Sequence, residues 1–64
     1  MNDADMQEFL SAAIRNLTNK NIRIRIQDDS VYLIHKDQYY TDNLEAFLYP
    51  GTWEIVGRWL DAVA

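Results

Sequence analysis

The amino-acid sequence predicts an α+β fold, and three observations predict it. From Ile22 to Ile26, apolar and basic residues alternate with the two-residue period of a half-buried strand. Before this ribbon, Met6, Phe9, Leu10, Ala13, Ile14 and Leu17 recur at the i, i+3, i+4, i+7 spacing of a helix face. After it, Val56, Trp59, Leu60 and Val63 repeat that spacing. The expected order is an N-terminal helix, a three-stranded antiparallel meander, then one short and one longer C-terminal helix packed on one face of the sheet. Residues 1–64 make a single small domain.

The first helix is expected over roughly Ala4 to Thr18, with the whole apolar stripe, Phe9 and Leu17 included, turned to the core. Asn2 or Asp3 can cap its start, and a capping box over Asp5–Glu8 is the alternative for a later start. Asn19 and Asn21, around Lys20, are residues that tolerate the left-handed turn with which many helices end.

The ribbon then fixes its own register. With Asp28-Asp29 as a two-residue turn, Ile26 faces Val31, Ile24 faces Leu33 and Ile22 faces His35 on one side. Arg25 faces Tyr32 and Arg23 faces Ile34 on the other. Asp-Asp suits a primed turn less well than Asp-Gly, so a longer loop through Ser30 is the alternative. A second turn at Lys36-Asp37 or Asp37-Gln38 returns a short strand, Tyr39 to Thr41. Either choice puts Tyr40 on the apolar side and Tyr39 beside Ile34 or Lys36.

Asp42 with Glu45 three residues later is a capping-box pattern, with Thr41 as the competing cap. The helix it opens runs about two turns before Tyr49-Pro50-Gly51 stops it. Thr52 then caps a final helix from Trp53 to about Val63. Gly57 inside it costs about 1 kcal/mol of helix propensity relative to Ala, either to allow a close approach or because it is tolerated.

Bulk properties narrow the functional classes. A chain of 64 residues stands near the lower end of what folds without a staple, with a stability of roughly a few kcal/mol. The absence of cysteine removes disulfides and thiolate zinc sites. Apolar runs are too short for a membrane span, and the opening Met-Asn-Asp carries the wrong charge for a signal peptide, so a cytoplasmic location is expected. The net charge of −4 is unevenly placed: Arg15, Lys20, Arg23 and Arg25 form a basic segment without an acid, whereas from Asp28 onward seven carboxylates face only Lys36 and Arg58. A wholly DNA-binding surface is disfavoured by this balance.

No catalytic constellation is visible. His35 stands alone, without a partner for metal or acid–base work, and reads as a structural histidine at a strand end. Asp28 and Asp29 are adjacent at a turn tip and point in different directions, which suits a solvated turn and not a convergent acid–base pair. Ser11 and Ser30 lack a nucleophile-elbow context, and the two glycines form no phosphate loop. No enzyme activity, metal or cofactor is expected. The sharper signal is Arg23, Arg25, Tyr32, Ile34, Lys36 and Tyr39, which share the second face of the ribbon and combine charge with stacking area. Their bland reading is an alternation that keeps an edge-prone ribbon soluble. The candidate partner-binding residues are Arg23, Arg25, Tyr32, Ile34 and Tyr39, with Asp28, Asp29 and Asp37 as a charged rim. Trp53, at a helix entrance near Tyr49 and Pro50, is either core or an interface anchor.

The opening helix through Leu17, the ribbon from Ile22 to Thr41, and the segments Leu44-Glu45-Ala46-Phe47-Leu48 and Trp59-Leu60 give an element order and composition that resemble small phage-encoded inhibitors of host defence, including certain anti-CRISPR proteins that block Cas nucleases. The stretch Tyr40–Ala46 is also similar to barstar-family ribonuclease inhibitors, although the surrounding element order departs from that family. The inhibitor resemblance implies carboxylates placed where nucleic-acid phosphates bind, with Asp28, Asp29, Asp37, Asp42 and Glu45 as candidates. A net charge of −4, with Arg23 and Arg25 in the same ribbon, suits steric or allosteric binding to a host protein better than mimicry of a whole phosphate track. The expectation is a non-enzymatic protein-binding module, an inhibitor of a host protein. Its rivals are a homo-oligomeric structural or virion-assembly protein, including a homodimer, and a single-stranded nucleic-acid binder using the basic-aromatic face.

Overall fold

The structure is a computed structural model describing residues 2–63. Helix α1 (Asp3–Leu17) leads into strands β1 (Arg23–Gln27), β2 (Ser30–His35) and β3 (Gln38–Asn43); a 3-10 helix (Leu44–Leu48) and helix α2 (Pro50–Ala62) follow. The strands form one antiparallel sheet in the order β1-β2-β3. The expected α+β order is present throughout.

The register of the first hairpin is the one its alternation demands: Arg23 opposite Ile34, Ile24 opposite Leu33, Arg25 opposite Tyr32 and Ile26 opposite Val31. Asp28 and Asp29 alone span the turn, with φ of 51° and 62°, the two left-handed positions of a type I′ hairpin. Aspartate is among the few non-glycine residues that tolerate this region, and the right-handed twist of the strands favours it here. The second turn is Lys36-Asp37, bracketed by the pair His35–Gln38, and it places Tyr39 opposite Ile34 and Tyr40 opposite Leu33. Lys36 alone of the pair has positive φ, 57°, at a position where a II′-like turn favours glycine.

Alternate sheet residues make the core. Val31 and Leu33 are fully buried and join Leu10 and Ile14 of α1, Phe47 of the 3-10 helix, and Val56 and Leu60 of α2 in one cluster; Ile22, Ile24, Ile26, Tyr40, Leu44, Trp53 and Trp59 pack around it. Both long helices therefore lie on the face of the sheet that carries Val31 and Leu33. Gln7 of α1 ties its layer to the sheet, its Nε2 donating to the Ile24 carbonyl at 3.2 Å.

Five local expectations are corrected. In α1 only Met6, Leu10 and Ile14 are buried, while Phe9 is 51% and Leu17 50% exposed. A small sheet covers a narrower arc of the helix than the full stripe spans. The end of α1 does not use Asn19 or Asn21 in a left-handed turn: Thr18 caps it in an extended conformation (φ −153°, ψ 151°), and the Thr18 hydroxyl accepts from the Lys20 N–H at 3.2 Å. Strand β3 runs on to Asn43, because pairing with the whole of β2, Ser30 opposite Asn43, outweighs the local capping signal at Thr41 and Asp42. The short helix that follows is a 3-10 helix with Asn43 at its start and no side-chain cap. Finally, Pro50 opens α2 instead of preceding it, occupying the first turn, where its missing N–H costs nothing; Thr52 lies inside the helix.

At the other helix start the expectation holds in one of its forms: Asn2 caps α1, its Oδ1 accepting from the Asp5 N–H at 2.9 Å. Gly57 has open space where a Cβ would project, so it is tolerated and serves no close approach.

Candidate functional site

The pairings that build the sheet also build its second face as a grid. One row reads Arg23, Ile34, Tyr39; the next reads Arg25, Tyr32, Thr41; the third reads Gln27, Ser30, Asn43. Strand parity puts these nine residues on the side of the sheet opposite Val31 and Leu33, and at its margin Asn43 also borders the 3-10 helix. Arg23, Arg25, Gln27, Thr41 and Asn43 are exposed, as is Tyr39 at 64%, while Tyr32, Ile34 and Ser30 at the centre are half-buried. Among the described residues, the core cluster that joins sheet to helices draws on the opposite face.

The grid is not flat. A shallow depression of about 400 Å³ runs over it, lined by Arg25 and Gln27 of β1, Tyr32 and Ile34 of β2, and Lys36 to Tyr39 around the second turn. A smaller one of about 290 Å³ adjoins it between Asn21, Arg23, Ile34, His35 and Lys36. The Tyr32 and Tyr39 rings lie diagonally across β2 and β3 with centroids 6.5 Å apart and planes inclined by 47°, which makes the floor of the larger depression aromatic. Arg23, Arg25 and Lys36 stand around this apolar floor, with Asp37 as the single carboxylate among its lining residues.

Of the residues singled out from sequence, the structure thus brings Arg23, Arg25, Tyr32, Ile34, Tyr39 and Asp37 together. Asp28 and Asp29 sit at the far end of the ribbon. The Asp29 carbonyl accepts from the Leu44 N–H at 2.8 Å, which ties the hairpin tip to the start of the 3-10 helix. There Asp29, Asn43, Glu45, Met6, Leu44 and Leu48 line a separate depression of about 480 Å³. The carboxylates proposed as phosphate substitutes are therefore divided, with Asp28, Asp29, Asp42 and Glu45 towards the first turn and Asp37 at the second. Trp53 belongs to neither group: it meets Phe47 edge-on with centroids 5.4 Å apart, and its Nε1–H donates to the Phe47 carbonyl at 2.9 Å. Its ring is partly buried against the core cluster and its polar atom is satisfied, which favours the core alternative for it.

Gln27 and Gln38 carry no binding signal of their own in the sequence, yet both line the depression of about 400 Å³ on the open face. Parity with Arg23 and Arg25 is the signal that could have found Gln27. Lys20, read only as part of a basic segment, has a structural role. Its Nζ donates to the Leu60 carbonyl at 2.7 Å and to the Val63 carbonyl, closing the carboxyl end of α2. His35 is 8% exposed at the end of β2, opposite Gln38, in keeping with a structural histidine. Tyr40, on the core face against Trp59 with ring centroids 6.1 Å apart, has its pKa raised, first by burial and then by the hydrogen bond its hydroxyl donates to Asp42 Oδ2 at 3.2 Å and by that carboxylate's charge.

Among the described residues there is no group of three or more His, Cys, Asp or Glu placed to hold a metal ion, and no helix is long and apolar enough to cross a membrane. Comparison with protein families, curated proteins and solved structures finds no match to the chain.

Proposed function

We propose that this chain is a non-enzymatic protein-binding module that uses the open face of its sheet, and that it acts in a bacterial cytoplasm as a phage or mobile-element inhibitor of a host protein such as a CRISPR–Cas nuclease. The observation that carries the binding part is the uncovered grid, in which Tyr32, Ile34 and Tyr39 form an apolar floor ringed by Arg23, Arg25 and Lys36. Tyrosine and arginine dominate interface hot spots because they combine large contact area with a polar end. The inhibitor part is supported by the chain's element order and its acidic, cysteine-free composition, which resemble those of small phage inhibitors. The test is capture from a bacterial lysate with the wild type and with a variant carrying Arg23→Ala, Arg25→Ala and Tyr32→Ala. The triple variant is expected to lose its main captured protein; identical proteins at identical yield remove the open face from the reading.

A second reading, self-association, is favoured by the apolar side chains that remain exposed on the helical side, Leu48 at 70% and Phe9, Leu17, Tyr49 and Ile55 near half. Light scattering across concentration decides it, because a monomer at high concentration excludes it.

A further inference from the structure

We infer that the occupant of the open face is a short, extended, acidic segment of another protein: an apolar or aromatic residue flanked by carboxylates. The inference deepens the protein-binding reading and rests on it.

Charge supplies the first argument. Arg23, Arg25 and Lys36 against Asp37 leave the face at +2, so the remainder of a −4 chain carries −6. Cations cluster on this one surface of an acidic body, which attracts carboxylates there and repels them elsewhere. A second copy seated face to face would bring together two faces that each carry +2, which disfavours an isologous dimer through this surface.

Shape supplies the second. Three strands about 4.8 Å apart give a floor about 10 Å wide, which about three residues of extended chain cross at about 3.3 Å each. Tyr32, Ile34 and Tyr39 offer an apolar seat for one side chain between the two arginines of β1 and the second turn. Each arginine is exposed and keeps its planar fork available for a carboxylate. Gln27, exposed at the margin of the same depression, adds a donor and an acceptor for a peptide backbone. A nucleic-acid strand also carries anions and stackable rings, but its phosphates continue past this floor and meet the negative remainder of the molecule, whereas a short acidic segment ends with the face.

The test is an amide-resolved NMR titration of the full chain with three defined probes. These are a short peptide with one phenylalanine flanked on both sides by glutamates, the same peptide with lysines in place of glutamates, and oligothymidylate. The expected result is that the acidic peptide moves resonances of Arg23, Arg25, Tyr32, Ile34 and Tyr39, that its affinity falls with added salt, and that the lysine peptide leaves them in place. Arg23→Ala with Arg25→Ala is expected to weaken the acidic peptide about tenfold or more, and Arg25→Lys by less, with the dispersed spectrum of the folded chain retained. Tighter binding of oligothymidylate to the same residues, or an acidic peptide that moves resonances elsewhere or none, overturns the inference. If the acidic peptide fails while capture from lysate still depends on Arg23, Arg25 and Tyr32, the protein-binding reading stands and only the chemistry of its partner is wrong.

Discussion

The two faces of one small sheet are made from the same strands and have opposite surroundings. On the covered face Val31 and Leu33 are fully buried, with Ile24, Ile26 and Tyr40 beside them, and every one packs against the helical layer. On the open face the positions between them carry Arg23, Arg25, Tyr32, Ile34 and Tyr39, half-buried at most. A period of two makes this division possible in so short a chain, since each strand gives alternate residues to the core and to the open face. It also separates the two physically: the side chains that hold the fold are not those of the proposed binding face.

Substitutions can break or sharpen that separation. Leu33→Ala opens a cavity at the centre of the covered face and is expected to lose about 3 kcal/mol in a urea melt, a large part of what a chain of this size has. Lys20→Met removes the clamp on the carboxyl end of α2 and is expected to cost about 1–2 kcal/mol, while leaving binding through the open face intact. Lys36→Gly moves the other way. It relieves a left-handed position that glycine adopts freely and is expected to gain about 1 kcal/mol, but it also removes one of the cations around the depression, so stability rises as partner affinity falls. Should binding survive Lys36→Gly unchanged, the lysine is outside the recognition set. The triple variant Arg23→Ala, Arg25→Ala, Tyr32→Ala is expected to shift stability by only about 0.5 kcal/mol per site while abolishing capture; a collapse of the fold would show that the open face is structural after all.

The smallest effect concerns pH. Because the folded pKa of Tyr40 lies above its unfolded value, its neutral form is favoured by folding. That contribution is fully present below the ordinary tyrosine pKa of about 10 and is lost as pH rises through the folded value. Tyr40→Phe is therefore expected to flatten the alkaline decline of stability relative to wild type, measured by urea melts from neutral to strongly alkaline pH. Equal slopes would remove Tyr40 as the titrating group.

Much of this division is legible in the residues themselves. The pairing of Arg23 with Ile34 and of Ile24 with Leu33 follows from alternation and turn length, both local properties. So does the membership of the open face. Its exposure is not local, because it depends on where α1 and α2 dock. The same limit explains the misplaced elements. Asp42 and Glu45 spell a capping box, yet the strand extends through Asp42 because β2 offers a full-length partner, a gain that no window of a few residues contains. Phe9 and Leu17 fit the helical period of α1 as well as Leu10 does, but the period cannot say how wide an arc the sheet covers. For Trp53 the sequence leaves core and interface anchor open; Pro50 opens α2 a turn earlier than expected, and the ring meets Phe47 edge-on. Lys20 carries no signal of its role, because its acceptors are carbonyls forty residues away.

That distance has a kinetic consequence. The strands form a meander and α1 lies against β1, so most of the chain assembles between neighbours in sequence, the regime of fast folding. The Lys20 clamp instead spans 40 and 43 positions in sequence, and loop-closure entropy delays such contacts until the rest is in place. Lys20→Met should accordingly speed unfolding while leaving the folding rate close to wild type; a slowed folding arm would place the clamp in the nucleus instead. The lysine then acts as a latch on the finished molecule, setting how long it stays folded more than how quickly it forms.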